Sequence, residues 1–489
     1  MTIDLTLERV RRLASQFSYK RPSIHVAGTN GKGSVACLLA SILRASSFKV
    51  GKFNSPHLIS IYDCITINDD PVTLELYHEC RTQVEQANEQ INARASSFEL
   101  LTVTALLVFE RAAVDIAIVE VGMGGRLDAT NVIPDECILV SALTAVDLDH
   151  QAFLGATVDL ITREKAAIAR QGKPFILGHQ RDSSVGSVAE EVVLQHGGTF
   201  VRSIPVKSVG SDDLSISLSS SPFIPPRGQN VEFTSDAFGS PIRATLPLHG
   251  THQLHNLSLA LTVISLLLRD SSCAAVLPEL IHAITPETVR AGIECASWPG
   301  RLSFHTMPRP VTPGSIGDPL VLLVDGAHNP ASSEALASYI SNLITHIPSL
   351  SRTLHITYIL ALSHSPPKTP EQTLFPLLPP RCRTSKPVTV SVAVLRFHPP
   401  DGMPWVKSVA PSALRAAVLG LVPNADVWAT QDDDPVDNQL QRALEWTELQ
   451  ANKIRDEGGE HLAVLAGSLY LVADFYRLME RLKAPNFLV

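Results

Sequence analysis

Along most of the chain, short unbroken apolar runs alternate with longer stretches in which apolar positions recur every three or four residues. The runs at 24–27, 116–121, 138–143 and 175–177 predict strands buried on both faces. The stretches at 100–111 and 160–170 predict amphipathic helices between them. Strands and helices in alternation give a mostly parallel sheet covered on both sides. Between 203 and 230 the pattern fades into Ser, Pro and Gly, which predicts an exposed insertion, and a helical period resumes at 256–268. A second alternating series follows Trp298, with strands expected at 320–324, 354–362, 388–395, 427–429 and 462–466 and helices at 331–344 and 468–482. Its Pro-rich interruption at 363–387 reads as a surface loop. The expectation is therefore two α/β domains, residues 1–296 and a smaller, Rossmann-like 297–489.

Composition narrows the class. A chain of 489 residues with 45% hydrophobic content can bury two large cores. The net charge of −8, with no run of Lys or Arg, argues against a surface for nucleic acid or an anionic membrane. Seven scattered cysteines, never spaced C-x-x-C, suggest neither a disulfide framework nor a structural zinc site. No window reaches the roughly 18 apolar residues of a membrane span, and the start lacks a signal-peptide core. The cytosol is the expected compartment. A basic bias in the first 21 residues makes mitochondrial import the alternative, which Asp4 and Glu8 oppose.

The strand at 24–27 runs into Gly28-Thr29-Asn30-Gly31-Lys32-Gly33-Ser34 and then into a helical pattern expected to open at Ser34. Such a turn points backbone N–H groups and a helix N-terminus at a phosphate, with Lys32 adding charge and Ser34 able to ligate Mg²⁺. Lys32 is followed by Gly33 rather than by a hydroxyl residue, so the spacing departs from the common phosphate-loop pattern. A purely structural turn is the alternative. Ser55, Glu120 and His150 each follow a predicted strand of the same sheet, where open α/β sheets place their ligands. Hydroxyl, carboxylate and imidazole make a partial shell for Mg²⁺; singly, His150 reads as a structural histidine and Glu120 as a solvated carboxylate. In the second half, a strand feeds Asp325-Gly326-Ala327-His328-Asn329-Pro330, and Arg301 sits at the domain junction. There a guanidinium would reach phosphate oxygens or form an interdomain salt bridge.

Together these motifs resemble the folylpolyglutamate synthase and dihydrofolate synthase family, relatives of the bacterial Mur ligases. The resemblance rests on HVAGTNGKGS, SPHL at 55–58, EVGMGGRLDATN, LDH at 148–150, EKAAIA at 164–169, GTHQLHN at 250–256, WPGR and DGAHN, in the family's order. It implies a Mur-ligase-like fold, with an amino-terminal domain that binds ATP phosphates through Gly28 to Ser34 and a carboxyl-terminal domain that closes over the site. By the same resemblance, Ser55, Glu120 and His150 match Mg²⁺ ligands, and Asn256, Arg301, Asp325 and His328 match ATP contacts. Lys165 matches a lysine that is carbamylated in family members and helps hold a second metal. The pterin pocket would involve the helix start from Phe98 to Thr102 and the loop Arg126, Leu127, Asp128. The partners implied are ATP, L-glutamate and dihydropteroate, and a monomer is expected.

Three features resemble the fungal dihydrofolate synthases rather than enzymes that lengthen a glutamate tail: residues 61–68 after SPHL, the GRLDATN run at 125–131, and the segments 401–405 and 467–471. Ala167, Asn54 and the two irregular stretches depart from the family's pattern. The implied reaction activates the pteroate carboxylate as an acyl phosphate, which the amine of glutamate attacks. Lys32, Lys165, Arg301 and His328 would be its catalytic groups, with His328 a candidate for taking the ammonium proton. Folylpolyglutamate synthesis on tetrahydrofolate is the nearer alternative, and a nucleotide-binding protein without catalysis the remoter one.

Overall fold

A computed structural model of the protein describes residues 6–210, 216, 218, 222–307, 319–347, 353–378, 388–403 and 405–483. The chain forms two compact units, one of residues 1–210, 229–247 and 252–297, the other of 211–228, 248–251 and 298–489.

The first unit is built on β1 (Ser23–Ala27), β2 (Val50–Phe53), β3 (Ile65–Ile67), β4 (Asp70–Pro71), β5 (Ile116–Glu120), β6 (Ile138–Leu143), β7 (Pro174–Leu177) and β8 (Thr199–Arg202). They form one sheet in the order β4-β3-β2-β5-β1-β6-β7-β8. From β2 to β8 every pairing is parallel, while β3 and β4 add an antiparallel edge. β1, β5 and β6 are buried along their whole length, as their unbroken apolar runs require. Because β1 lies between β5 and β6, the chain leaves its carboxyl end at a point where neighbouring connections part, the place such sheets keep for ligands. β9 (Lys207–Ser208), β10 (Gln229–Phe233) and β11 (Ile242–Leu246) make a small antiparallel sheet.

Helix Lys32–Ala45 opens two residues before Ser34, with Gly31 as its N-cap. Its residues Ser34 to Leu43 are all buried, so it is covered almost all round. Helix Ser97–Arg111 starts with a capping box, Ser96 accepting from the Glu99 N–H while Glu99 accepts from the Ser96 N–H. The helix expected at 160–170 spans Val158–Ala166. It stops early because the carbonyl of Ile168 turns to Ser141 Oγ and the Arg170 guanidinium. The helix expected at 256–268 spans Thr251–Arg269, which puts Gln253 in its first turn.

The second unit carries β12 (Ser303–Thr306), β13 (Val321–Val324), β14 (Leu354–Leu360), β15 (Val388–Val394), β16 (Asp426–Ala429) and β17 (Glu460–Ala466), in the order β12-β13-β17-β14-β15-β16. All pairings are parallel except β12 with β13. Two expectations need correction here. The stretch at 203–230 is not simply an exposed insertion, because Ile216 and Leu218 are each 2% exposed within the core of the second unit. Nor is 363–387 only a surface loop, since it contains helix Pro370–Leu374 and sinks Leu374, Leu377 and Leu378 into the same core. The apolar positions at 214–218 and 374–378 are short groups inside Ser- and Pro-rich surroundings, too brief to stand out as elements, yet Ile216, Leu218, Leu374, Leu377 and Leu378 gain by burial. Residues 211–215, 217, 219–221 and 379–387 of those stretches, Cys382 among them, lie outside the described residues, as do Asp4 and Pro404.

Helix Lys32–Ala45 approaches helix Pro286–Glu294 so closely that a Cβ on Gly292 would overlap the Ile42 backbone, and Ser41 Oγ donates to Gly292 O at 2.7 Å. Gly292→Ala must therefore push the helices apart. A loss of about 1–3 kcal/mol is expected, read as a lower urea midpoint; an unchanged midpoint would show that this contact does not constrain the packing.

Candidate active site

The carboxyl ends of β2, β5, β1 and β6 stand side by side, and each delivers part of the predicted constellation. After β1, Gly31 takes a φ of 93°, a conformation that favours glycine, and faces Asn256 so closely that any Cβ would strike the amide. The turn is tied to the segment after β6: Thr29 N donates to Ala145 O at 2.8 Å and Asn30 Nδ2 to Asp147 Oδ2 at 3.2 Å. Ser34 is buried, and its hydroxyl accepts from Gln253 Nε2 at 3.2 Å. Asn256 Nδ2 in turn donates to Gln253 Oε1 at 2.9 Å. Asn256 thus lies against the loop, with Gln253 joining the two.

Two lysines converge on the loop. Lys32 Nζ donates to Gly28 O at 3.1 Å and to Thr29 O at 3.3 Å, and lies 3.7 Å from Glu120 Oε1. Lys165, only 4% exposed, donates to the same Gly28 O at 2.9 Å. Burial, and next the charge of Lys32, push its pKa down to about 7.

Glu120, the last residue of β5, is buried, and its other oxygen accepts from Asn54 Nδ2 at 2.6 Å. Ser55 follows β2 and is half-buried. His150 is exposed, in left-handed backbone at φ 51°, and its N–H donates to Asp149 Oδ1. Among the described residues no three His, Cys, Asp or Glu side chains converge on a common point. The Glu120 carboxylate and the Ser55 hydroxyl follow the adjoining strands β5 and β2 and are oxygen donors of the kind that suits Mg²⁺, while His150 follows β6, separated from β5 by β1 along the same edge.

The predicted acceptor pocket is mixed. Phe98 lies over Gly122, where a Cβ would strike its ring, and stacks on Phe53 at 6.2 Å between centroids. Thr102 is fully buried and its hydroxyl donates to Phe98 O at 2.9 Å within its own helix, so it supports that helix rather than presenting a donor. Arg126 is exposed and pairs with Glu164 at 3.0 Å. Together with Leu127, Met123, Phe153 and Leu154, that pair lines a small cleft. Asp128 is buried, which raises its pKa against the hydrogen bonds it accepts. Its Oδ2 accepts from Met123 N at 2.8 Å and its Oδ1 from Thr130 Oγ1 at 2.6 Å, and that hydroxyl also meets His25 Nε2 at 2.8 Å. Asp128 therefore ties the 122–131 loop to β1.

In the second unit, buried Asp325 follows β13 and accepts from Leu302 N at 2.9 Å and Ala327 N at 2.8 Å. Burial raises its pKa and Arg301 opposes that rise. The Arg301 guanidinium packs against Gly326 and donates to Gly300 O at 3.0 Å. His328 Nδ1 lies 2.8 Å from Gly326 O, and the His328 carbonyl accepts from Lys368 Nζ at 2.9 Å. Arg301, Asp325 and His328 thus share one strand end.

Residues 315–478 match the model of the dihydrofolate synthetase C-terminal domain. Dihydrofolate synthetase of Saccharomyces cerevisiae is 31% identical over 98% of both chains, and a probable dihydrofolate synthetase of Schizosaccharomyces pombe is 29% identical over 98% of this chain and 99% of that one. The chain belongs to the dihydrofolate synthetase and folylpolyglutamate synthase family. Its α/β architecture is the Mur-ligase-like one. Mycobacterium tuberculosis folylpolyglutamate synthase, solved with ADP and AMPPCP, superposes with a TM-score of 0.73 at 27% identity, covering 97% of this chain and 95% of that one.

For a family member, the residues that sequence reasoning passed over are instructive. Gln253 lies inside the quoted GTHQLHN run, so its signal was in view. Asn54 was visible only as a departure from pattern, and Lys368 lay in a stretch read as a loop. Thr130 and His25 lie inside the quoted EVGMGGRLDATN and HVAGTNGKGS runs; the Asp128–Thr130 contact is local, but only the fold brings His25 to Thr130.

The lowered pKa of Lys165 gives this family member a stability signature. Between about 7 and the ordinary 10.5 the unfolded chain holds a proton that the folded chain has lost, so this contribution to stability rises with pH across that window. Below about 7 both states are protonated and the folded state carries the whole penalty. Lys165→Met removes it, while Lys32 still serves the Gly28 carbonyl. The variant should show a higher urea midpoint than wild type at pH 7 and lose that advantage by pH 10.5; parallel midpoints across the range would contradict this assignment.

Proposed function

We propose that the protein is a dihydrofolate synthase, which joins L-glutamate to 7,8-dihydropteroate and converts ATP to ADP and phosphate. The single observation that carries the choice of acceptor is the end-to-end likeness to yeast dihydrofolate synthetase, 31% identical over 98% of the chain. The chemistry rests on the site itself. A carboxylate is a poor electrophile, so one of its oxygens must become a leaving group. An oxygen of the pteroate carboxylate attacks the γ-phosphorus of ATP and the bond to the β-phosphate oxygen breaks, giving an acyl phosphate and ADP. The glutamate nitrogen then adds to the acyl carbon, phosphate departs with the former carboxylate oxygen, and the nitrogen sheds its protons.

Two anions meet in the first step, and this chain supplies positive charge where they meet. The loop N–H groups and Lys32 bind the phosphates, and Asn256 and Gln253 hold the loop in shape. Ser55, Glu120 and His150 are the residues that would hold Mg²⁺, which when bound neutralises phosphate charge. With its pKa near 7, Lys165 has an appreciable neutral fraction at physiological pH, the form that reacts with CO₂, consistent with the carbamate that the resemblance implies. Arg301 and Asp325 are assigned to nucleotide contacts. His328, with Nδ1 2.8 Å from the Gly326 carbonyl, is assigned to taking the ammonium proton. Phe98 and the 126–128 loop are assigned to the pterin. The reading includes a cytosolic monomer; among the described residues no helix is long and apolar enough to cross a membrane.

Folylpolyglutamate synthesis is the second reading, favoured by the structural likeness to the mycobacterial enzyme. Purified protein given ATP and glutamate should release ADP with dihydropteroate and far less with tetrahydrofolate; the reverse preference would reassign the acceptor. Label from ¹⁸O-carboxylate should appear in the liberated phosphate. Lys32→Ala should lower kcat by about 10²-fold or more with an unchanged circular dichroism spectrum, and near-normal turnover would reject the loop assignment.

A further inference from the structure

We propose that Asn54 is a positioning residue whose side-chain amide sets the carboxylate of Glu120 in the orientation that receives the divalent cation of the nucleotide. The inference rests on the reading of Glu120 as a metal ligand. β2 and β5 are parallel neighbours with Phe53 opposite Val119, so residues 54 and 120 are the next pair along the ladder. Both are 6% exposed. Asn54 N donates to Cys64 O at 2.9 Å, which fixes the start of the side chain, and Nδ2 reaches Glu120 Oε2 at 2.6 Å. The other oxygen, Oε1, lies on the Lys32 side. The two oxygens of one carboxylate are thereby distinguished.

The chemical type of the partner matters. A buried carboxylate needs a hydrogen-bond donor to remain ionised. A lysine or arginine at position 54 would supply one but would also cancel the charge that attracts a dication. An amide supplies the donor without adding a second cation to a carboxylate that already lies 3.7 Å from Lys32 Nζ. It also removes one rotational freedom, so the remaining oxygen faces the loop before any cation arrives. Partners of this kind typically change metal affinity by about 10- to 100-fold when removed.

The test uses the full chain, Mn²⁺ as the probe, and a non-hydrolysable ATP analogue, with bound Mn²⁺ read by electron paramagnetic resonance. Asn54→Ala truncates the amide, whereas Asn54→Leu keeps its shape and removes the donor. Each should raise the Mn²⁺ Kd by about 10- to 100-fold, with metal-free nucleotide binding unchanged. Asn54→Gln, which keeps an amide, should recover part of the loss. A Mn²⁺ Kd within about twofold of wild type in either donor-free variant overturns the proposal, provided Glu120→Ala weakens Mn²⁺ binding. If Glu120→Ala also leaves Mn²⁺ binding intact, the metal role of Glu120 fails, and Asn54 loses its premise with it. Melting of both donor-free variants more than about 10 °C below wild type equally overturns it, since the amide would then hold the fold rather than the carboxylate.

Discussion

One carbonyl oxygen, that of Gly28, accepts from two ammonium groups, Lys32 from within the loop and Lys165 from a helix more than a hundred residues away. Like charges held this close in a poorly solvated place repel, and the protein relieves the repulsion in two ways. Burial drives Lys165 toward its neutral form, and Glu120 brings a carboxylate to the Lys32 side. What remains is a positively biased turn whose backbone N–H groups are already gathered. Such a turn is poor at resting in water and good at receiving a polyanion.

The parallel sheet makes this convergence geometrically inexpensive. Strands adjacent in space but distant in sequence end at the same edge, so Asn54 and Ser55, Glu120, the phosphate loop and the 147–150 segment are neighbours by topology rather than by long, flexible reach. The register between β2 and β5 brings the Asn54 amide to the Glu120 carboxylate, and that between β1 and β6 brings Thr29 to Ala145. Rigid strand ends need little further ordering when a ligand arrives, which is where the affinity of preformed sites originates.

How much of this was legible depended on whether the signal was local. The strand, turn and helix around residues 24–45 could be read because glycine spacing and apolar periodicity sit in one window. The placement of Glu120 could be read because it ends an unbroken apolar run. Asn54 could be seen as unusual but not as a partner, because its partner is set by register between strands separated by more than sixty residues. Thr102 and Asp128 show the opposite failure. Both were expected to line the pterin pocket, yet the hydroxyl of one serves its own helix and the carboxylate of the other serves its own loop. Ile216 and Leu218 escaped because, with Leu214, they alternate with serines over only five residues inside a Ser-rich stretch, and only a distant core gives that short period-2 signal its meaning.

Asp128 and Asp325 show a common device in the two units. Each is a buried carboxylate in the connection that follows a strand, each accepts from two backbone N–H groups, and in each burial outweighs those bonds enough to raise the pKa. An ionised group in such a place is held by directed donors rather than by water, so the loop around it cannot relax without leaving the charge unsatisfied. The same reasoning gives Glu120 its different character. Its donors include the Asn54 amide on the neighbouring strand's end and, at 3.7 Å, the Lys32 ammonium, both of them side chains of other elements. Carboxylates bound by their own loops act as braces. A carboxylate gripped by side chains of other elements is instead oriented by them, so its direction follows from the packing of the strand and loop that carry those side chains.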